Sequence, residues 1–498
     1  MELNATFIPE PRLVFGNGGK HVDPKAGLTW YGPAGHSGGS SGPASITLGF
    51  VGPSDAVEAS RDWVLRLNEP IESNNENLRL FPPYPGLPAS FICRLHSPDN
   101  LLYEIPPRDL TNALSIQDHK KKILAVAELF TKGLRALSEK AGKPNLVVFP
   151  WSEEIVSRCA GSSKDAKLSR DERDRRKQLV RQEETHQQRF FPLDEEALEL
   201  LESGKSGWNL HAELKARAME VDLPIQIILP RTYMGESQES DPSTPWNIAT
   251  GMYYKAGGIP WRPSEPESTT CYIGIEFFKD KTTLTPKMRT CVAQVFSDAG
   301  SGLVLRGSTF QHEGGMRRSP RMDEGTAQQL VNDALDLFER HNRAPPRRVV
   351  VHKSSHFVKP EIRGIEGSLA SIEAYDLVTV FPRADVQFVR HGIQPALRGM
   401  MVPLDRGRFA LQTVGYVPYL NVYPGQRIPR AVEVTHHAGD AGPQKLAREI
   451  LKLTKLNWNS ARFGNAMPST LMYAKFVKAV LAQVPEGQRV SEDYSRYM

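Results

Sequence analysis

Short apolar runs alternate with longer stretches of helical periodicity through the first half of the chain. Ser45-Ile46-Thr47-Leu48-Gly49-Phe50-Val51-Gly52 predicts a buried strand, and Asp55 to Leu67 a helix. Phe91 to Leu95 predicts a second strand, Ile116 to Lys140 a long amphipathic helix, and Asn145 to Pro150 a third strand. A helix carrying His211 and Lys215 follows, then a strand over Leu223 to Ile228 and a helix ending at Lys255. Strands that alternate with helices imply a parallel, Rossmann-like sheet. From Cys271 the pattern changes. Cys271 to Phe278, Arg289 to Phe296 and Gly302 to Arg306 read as an antiparallel meander. An amphipathic helix over Thr326 to Asn342 and a buried strand over Arg347 to His352 come next. Three antiparallel strands, a helix and a parallel strand are the opening of an RNase H-like fold. The expected class is therefore α/β, with one Rossmann-like and one RNase H-like domain.

Two stretches stand outside this pattern. Residues 1–44 are rich in Gly and Pro and predict loops and short strands rather than helix. Within them Phe15 to Lys20 matches neither Gly-rich phosphate-loop pattern, so a tight turn is the better account. His36 to Gly42 reads as a flexible loop. Residues 161–204 are dense in charge of both signs, as in Asp171-Glu172-Arg173-Asp174-Arg175-Arg176-Lys177. They predict a solvated helix, with a partner surface as the alternative.

Composition narrows the class only a little. The chain has 498 residues, 40% of them hydrophobic, enough for two to four ordinary domains with cores of their own. A formal net charge of +5 permits a nucleic-acid partner without requiring one. Four cysteines with no C-x-x-C spacing exclude a disulfide scaffold and suit a reducing cytosol. The N-terminal sequence has no signal-peptide pattern, and no apolar run approaches the ~20 residues that span a bilayer. The expected location is cytoplasmic.

Candidate chemistry centres on His211-Ala212-Glu213-Leu214-Lys215, Gln226 and Lys255-Ala256-Gly257-Gly258. His211 and Lys215 share a helix face. An amide on the next strand and a Lys at the next helix end complete a donor set suited to a terminal phosphate. Lys supplies compact charge, while His and Gln supply directed hydrogen bonds. The His–Lys pair alone more often marks a solvated face. Its order with Gln226 and Lys255 is what raises it above that.

This order resembles the 5'-phosphate pocket in the MID domain of Argonaute proteins. The resemblance runs through Phe15 to Gly19, Tyr31-Gly32-Pro33, Lys255 to Trp261, Arg398-Gly399, Thr413 to Leu420 and Leu453 to Asn459. It is to the short prokaryotic Argonautes, which hold only MID and PIWI domains. It implies an N-terminal segment packing with PIWI (1–44), a MID domain (45–265) and a PIWI domain (266–498). By the same resemblance His211, Lys215, Gln226, Lys255 and Asn247 hold the guide's 5'-phosphate. A C-terminal carboxylate, here that of Met498, enters the pocket in some relatives and helps to hold a divalent cation such as Mg²⁺. A frayed terminus is the alternative. Lys455, Asn457, Asn459 and Arg462 are implied contacts to the guide or target backbone, with Lys353, Lys359 and Arg390 as further candidates.

The PIWI positions depart from the nuclease pattern. Cleavage on this fold needs acidic residues that hold two divalent ions about 4 Å apart. The first acidic position falls on Glu276, but the second falls on Ser354 and the third on Lys475. No Asp lies between Asp336 and Asp376, so a slip in register restores nothing. The resemblance therefore implies an inert cleavage centre. It implies a guide-binding, target-DNA-sensing subunit of a bacterial immune system that recognises plasmid or phage DNA. A separate APAZ-domain effector, sirtuin-like, TIR or nuclease, would supply the activity, with NAD depletion where it is an NADase. The resemblance favours a 5'-phosphorylated guide RNA; the residues are silent on the sugar. The rivals are a guide-directed endonuclease and a nucleotide- or metabolite-binding enzyme, the latter lacking a dinucleotide fingerprint.

Overall fold

The structure is a computed structural model. It describes residues 4–34, 42–159, 208–234, 242–264, 270–279, 288–293, 302–310, 320–382, 384, 386–423, 429–485, 487–488 and 490–498. The predicted flexible loop and the predicted charge-dense helix lie almost wholly outside these residues. The chain divides into two compact bodies. One comprises Val14–Trp261, Trp458–Ala461 and Met498; the other holds the segment ending at Leu13, Arg262–Asn457 and Arg462–Tyr497.

The first body is built on a parallel sheet. Ser45–Gly52 lies between Arg94–His96 and Leu146–Pro150, and Ile225–Ile228 follows on the outer side of the latter. All these pairs are parallel, as the alternating pattern predicts. The strand Leu146–Pro150 is buried at every position, the mark of a sheet covered on both faces. Helix His119–Ser138 packs on it through Ile123, Val126, Ala127, Phe130, Leu134 and Leu137, a stripe with helical spacing. Burial of each of the larger side chains contributes about 1.5–3 kcal/mol. Helix Leu210–Val221 closes the same core through Leu210, Leu214 and Ala218. Its Arg217 donates to Glu213 at 2.7 Å and pairs with Glu128 of the long helix.

The second body carries a mixed sheet of nine strands among the described residues. In spatial order these are Thr6–Phe7, Met400–Asp405, Arg408–Leu411, Val432–Gly439, Ala374–Phe381, Arg348–Lys353, Thr270–Lys279, Met288–Ala293 and Val304–Phe310. The last three pair antiparallel as a meander, and Arg348–Lys353 adds in parallel to Thr270–Lys279. This is the predicted RNase H-like opening. Helix Glu324–Asn342 covers it with Leu330, Val331, Ala334, Leu337 and Phe338.

Two features of the N-terminal segment differ from the sequence expectation. First, Pro24–Tyr31 is a helix, where loop and strand were expected. Asp23 caps it, accepting from the Ala26 amide at 2.8 Å, and Pro24 fills the first turn, where its missing N–H is no loss. The Asp-Pro signal was present but outweighed by the surrounding glycines. Second, the segment divides near Leu13. Thr6–Phe7 pairs with Met400–Met401, whereas the Phe15 ring meets Trp261 and the Gly16 amide donates to Gly32 at 3.0 Å. Cys93, Cys159 and Cys271 are buried free thiols. No helix among the described residues is long and apolar enough to cross a membrane.

Candidate functional site

The first body gathers the predicted phosphate donors from three elements. Helix Ser243–Lys255 ends on Lys255, whose ammonium donates to Gln226 Oε1 at 2.8 Å and to the Ile225 carbonyl at 3.1 Å. Gln226, on strand Ile225–Ile228, donates through Nε2 to the Ile227 carbonyl at 3.0 Å. Lys215 comes from the middle of helix Leu210–Val221 and is buried, 4% exposed. His211 stands one turn ahead of it on the same helix and is exposed. Asn247, Gly251 and Lys255 follow one another at four-residue steps. A Cβ on Gly251 would lie 3.6 Å from Asn459 Oδ1 and 4.0 Å from Gln226 Oε1, so both amides sit over this helix stripe. Asn247 Oδ1 accepts from the Ala461 amide at 3.1 Å, and Tyr254 stacks on Trp458 at 5.0 Å, which fixes the Trp458–Ala461 segment here. Asn459 is thus placed with the phosphate donors, and not only with the backbone-contact group in which sequence reading put it. Met498 belongs to this body and is buried.

The electrostatics are unusual. Burial lowers the Lys255 ammonium to about 7. Lys215 is held well below its ordinary range, first by burial and then by repulsion from Lys255. Lys255 has no carboxylate partner among the described residues; its acceptors are neutral oxygens. Two desolvated cations facing each other are costly in the protein alone. Such a cost persists where an anion recovers it. The donor set is two ammoniums, amides and an imidazole. It fits a phosphate and repels a dication, so the Mg²⁺ expected here has no matching ligand set. No group of three His, Cys, Asp or Glu among the described residues could hold a metal ion.

The helix bearing His211 and Lys215 depends on its cap. Asn209 Oδ1 accepts from the His211 amide at 2.8 Å and the Ala212 amide at 3.4 Å. Asn209→Ala should lower stability by about 1 kcal/mol. A thermal melt checks this; an unchanged midpoint would mean the first turn is held otherwise.

The second body places Glu276 and Ser354 together at the ends of two parallel strands. Register pairs Ile275 with Lys353, and Ser354 Oγ donates to Glu276 Oε1 at 2.9 Å. The third group is Lys478, whose ammonium lies 3.4 Å from Glu276 Oε2. Sequence reading chose Lys475, one turn earlier on helix Ser469–Leu481, and missed Lys478. The helix lies close because position 274 is glycine: a Cβ there would stand 2.2 Å from the Thr470 carbonyl. His352, buried and lowered to about 3 by desolvation, bonds Thr470 at 2.9 Å and pins the same turn.

The expected backbone contacts separate into two groups. Lys455 is buried and donates to Glu10 Oε1 at 2.8 Å, with its ammonium 3.7 Å from the Phe463 ring centre. Arg398 takes the other Glu10 oxygen at 2.9 Å, so this is a structural ion triad. Lys353 is likewise enclosed, with both Glu361 oxygens at 2.7 Å. Asn457 is buried against Asn465 at 3.4 Å. By contrast, Asn459 and Lys359 are exposed, and Arg462 is half-buried with its guanidinium lowered by desolvation. Arg390 lies over the Tyr416 ring at 5.4 Å.

No protein-family model matches the sequence, and no curated protein is similar to it. Solved structures are informative. Clostridium butyricum Argonaute, bound to a guide DNA and a 19-mer target DNA, superposes with a TM-score of 0.60 at 14% identity, over 99% of this chain and 54% of that one. The fold is Argonaute-like. Drosophila Piwi matches with a TM-score of 0.59 at 13% identity, over 99% of this chain and 56% of the other. A. aeolicus Argonaute gives 0.55 at 14% identity, over 98% and 54%. This chain therefore spans about half the length of each, and what it shares with them is the MID–PIWI architecture.

Proposed function

We propose that this protein binds a guide strand by its 5'-phosphate and uses it to sense complementary nucleic acid. The observation that carries the proposal is the buried pair Lys215 and Lys255 beside Gln226, a cationic site that a phosphate monoester neutralises. The Argonaute-like fold supports it, since the C. butyricum protein is described with guide and target DNA. The direct test is binding of short oligonucleotides that differ only at the 5' end. Tight binding of the phosphate form is expected, and indifference to that group would remove the proposal.

Target cleavage is not part of this reading. Two-ion hydrolysis requires several carboxylates aimed at the metals. Glu276 instead has a hydroxyl and an ammonium as neighbours, and the latter would repel a cation. We expect the guide-loaded protein to bind matched DNA in Mg²⁺ or Mn²⁺ and to leave it intact. Specific cutting opposite the middle of the guide would instead establish the endonuclease reading.

A binding protein without cleavage needs a responder. We assign that role to an APAZ-domain effector, so that guide, target and both subunits together trigger immunity against plasmid or phage DNA. For an NADase effector the readout is loss of cellular NAD. The coupling requires a partner that distinguishes target-loaded from guide-only protein. Target-dependent immunity from this chain alone would overturn the assignment.

A further inference from the structure

The Glu276, Ser354 and Lys478 cluster has a charge balance that the guide-sensing reading does not by itself use. Lys478 meets Glu276 at 3.4 Å, longer than the ~2.7–2.9 Å of a tight charge-assisted bond. Its side chain is 25% exposed. The neighbouring pair is built differently: Lys353 is 1% exposed and holds both oxygens of Glu361 at 2.7 Å. One pair is closed and structural, whereas the other is loose and open to solvent. Further positive charge lies close by. Arg321, exposed, is near enough to Lys353 to disfavour its protonation, and Lys475 is one turn from Lys478. Counting Glu276 and Glu361 against Lys353, Lys478, Arg321 and Lys475, cations exceed carboxylates.

We propose that Lys478 binds a backbone phosphodiester of the target strand, with Glu276 and Ser354 as its positioning residues. Glu276 holds the ammonium at the strand ends, and Ser354 fixes Glu276 through the 2.9 Å bond. The lysine thus supplies, as a fixed side chain, the positive charge that a divalent ion would otherwise bring to a phosphate. Target binding at this point is then independent of divalent metal. The proposal rests on the guide-sensing reading above.

The test uses the full chain loaded with a 5'-phosphorylated guide, titrated with matched single-stranded DNA across a salt series, with and without EDTA. For Lys478→Gln we expect guide loading unchanged, target affinity lower by about tenfold, and a salt slope shallower by roughly 0.7–0.9. EDTA should not alter the wild-type affinity. Glu276→Gln releases the ammonium and should hold or raise target affinity. The double variant Glu276→Gln with Lys478→Gln separates the two roles. If Lys478 only neutralises Glu276, removing both charges restores wild-type target affinity and slope, and the proposal falls. If it binds phosphate, the double variant stays as weak as Lys478→Gln. Wild-type protein that loads no guide would remove the underlying reading instead. Wild-type loading with an unchanged Lys478→Gln target affinity would remove only this proposal.

Discussion

Replacing Lys215 and Lys255 together with methionine will weaken binding of a 5'-phosphorylated oligonucleotide at least ~100-fold. Each lysine offers a charge-assisted bond worth about 1.5–3 kcal/mol, and ~1.4 kcal/mol is tenfold in affinity. The two sites are neighbours, so their effects will not simply add; the lower bound allows for that. A 5'-hydroxyl strand carries no terminal dianion and should lose little. Methionine keeps the volume of the buried stems and leaves no large cavity. It also removes two desolvated, mutually repelling cations. The double variant should therefore melt at or above the wild-type temperature, although Gln226 and the Ile225 carbonyl lose a donor. Fluorescence anisotropy with the two 5' ends is the measurement. Equal loss for both strands would mean that these lysines hold the backbone in general and not a terminal phosphate.

The sheets were legible in the sequence because burial writes itself into periodicity. Leu146–Pro150 is apolar throughout since helices cover both its faces, and Ile123 to Leu137 keeps helical spacing since one stripe meets that sheet. Lys215, Gln226 and Lys255 were also legible, because their spacing along helix, strand and helix end was informative before any coordinates. What the sequence could not show was which cations are already spent. Lys455 lies among residues that resemble a guide-contact motif, yet its partner Glu10 is more than four hundred residues away in the chain and leaves no local trace. Lys353 and Glu361 are closer in sequence, eight residues apart, but only the turn into helix Lys359–Ser368 makes them face each other. Lys478 was missed for a related reason. Lys475 and Lys478 are equally plausible along the chain, and the choice depends on how helix Ser469–Leu481 is rotated. That rotation is set by Gly274 against Thr470 and by the bond from His352.

Guide loading should also depend on pH, with a sign fixed by the two buried lysines. Burial brings Lys255 to about 7, and Lys215 lies well below its ordinary range. Their unfolded values are near 10.4, so the unfolded chain binds more protons above pH 7. Stability of the protein alone should therefore rise as pH climbs from about 7 towards 10. Binding has the opposite dependence. A phosphate dianion between the two lysines restores both ammoniums, so complex formation takes up protons. For each proton taken up, affinity falls about tenfold per pH unit above the ligand-free value. Below pH ~6 the phosphate itself begins to protonate, which weakens binding from the acid side. Affinity for a 5'-phosphorylated guide should thus peak near neutrality and fall at least ~tenfold per unit between pH 7.5 and 9. Calorimetry in buffers of different ionisation enthalpy should register proton uptake. Lys255→Met should flatten the alkaline limb, while His211→Gln should leave its slope in place. A flat profile between pH 7 and 9, with no buffer dependence of the heat, would show that the lysines are already fully charged before the phosphate arrives.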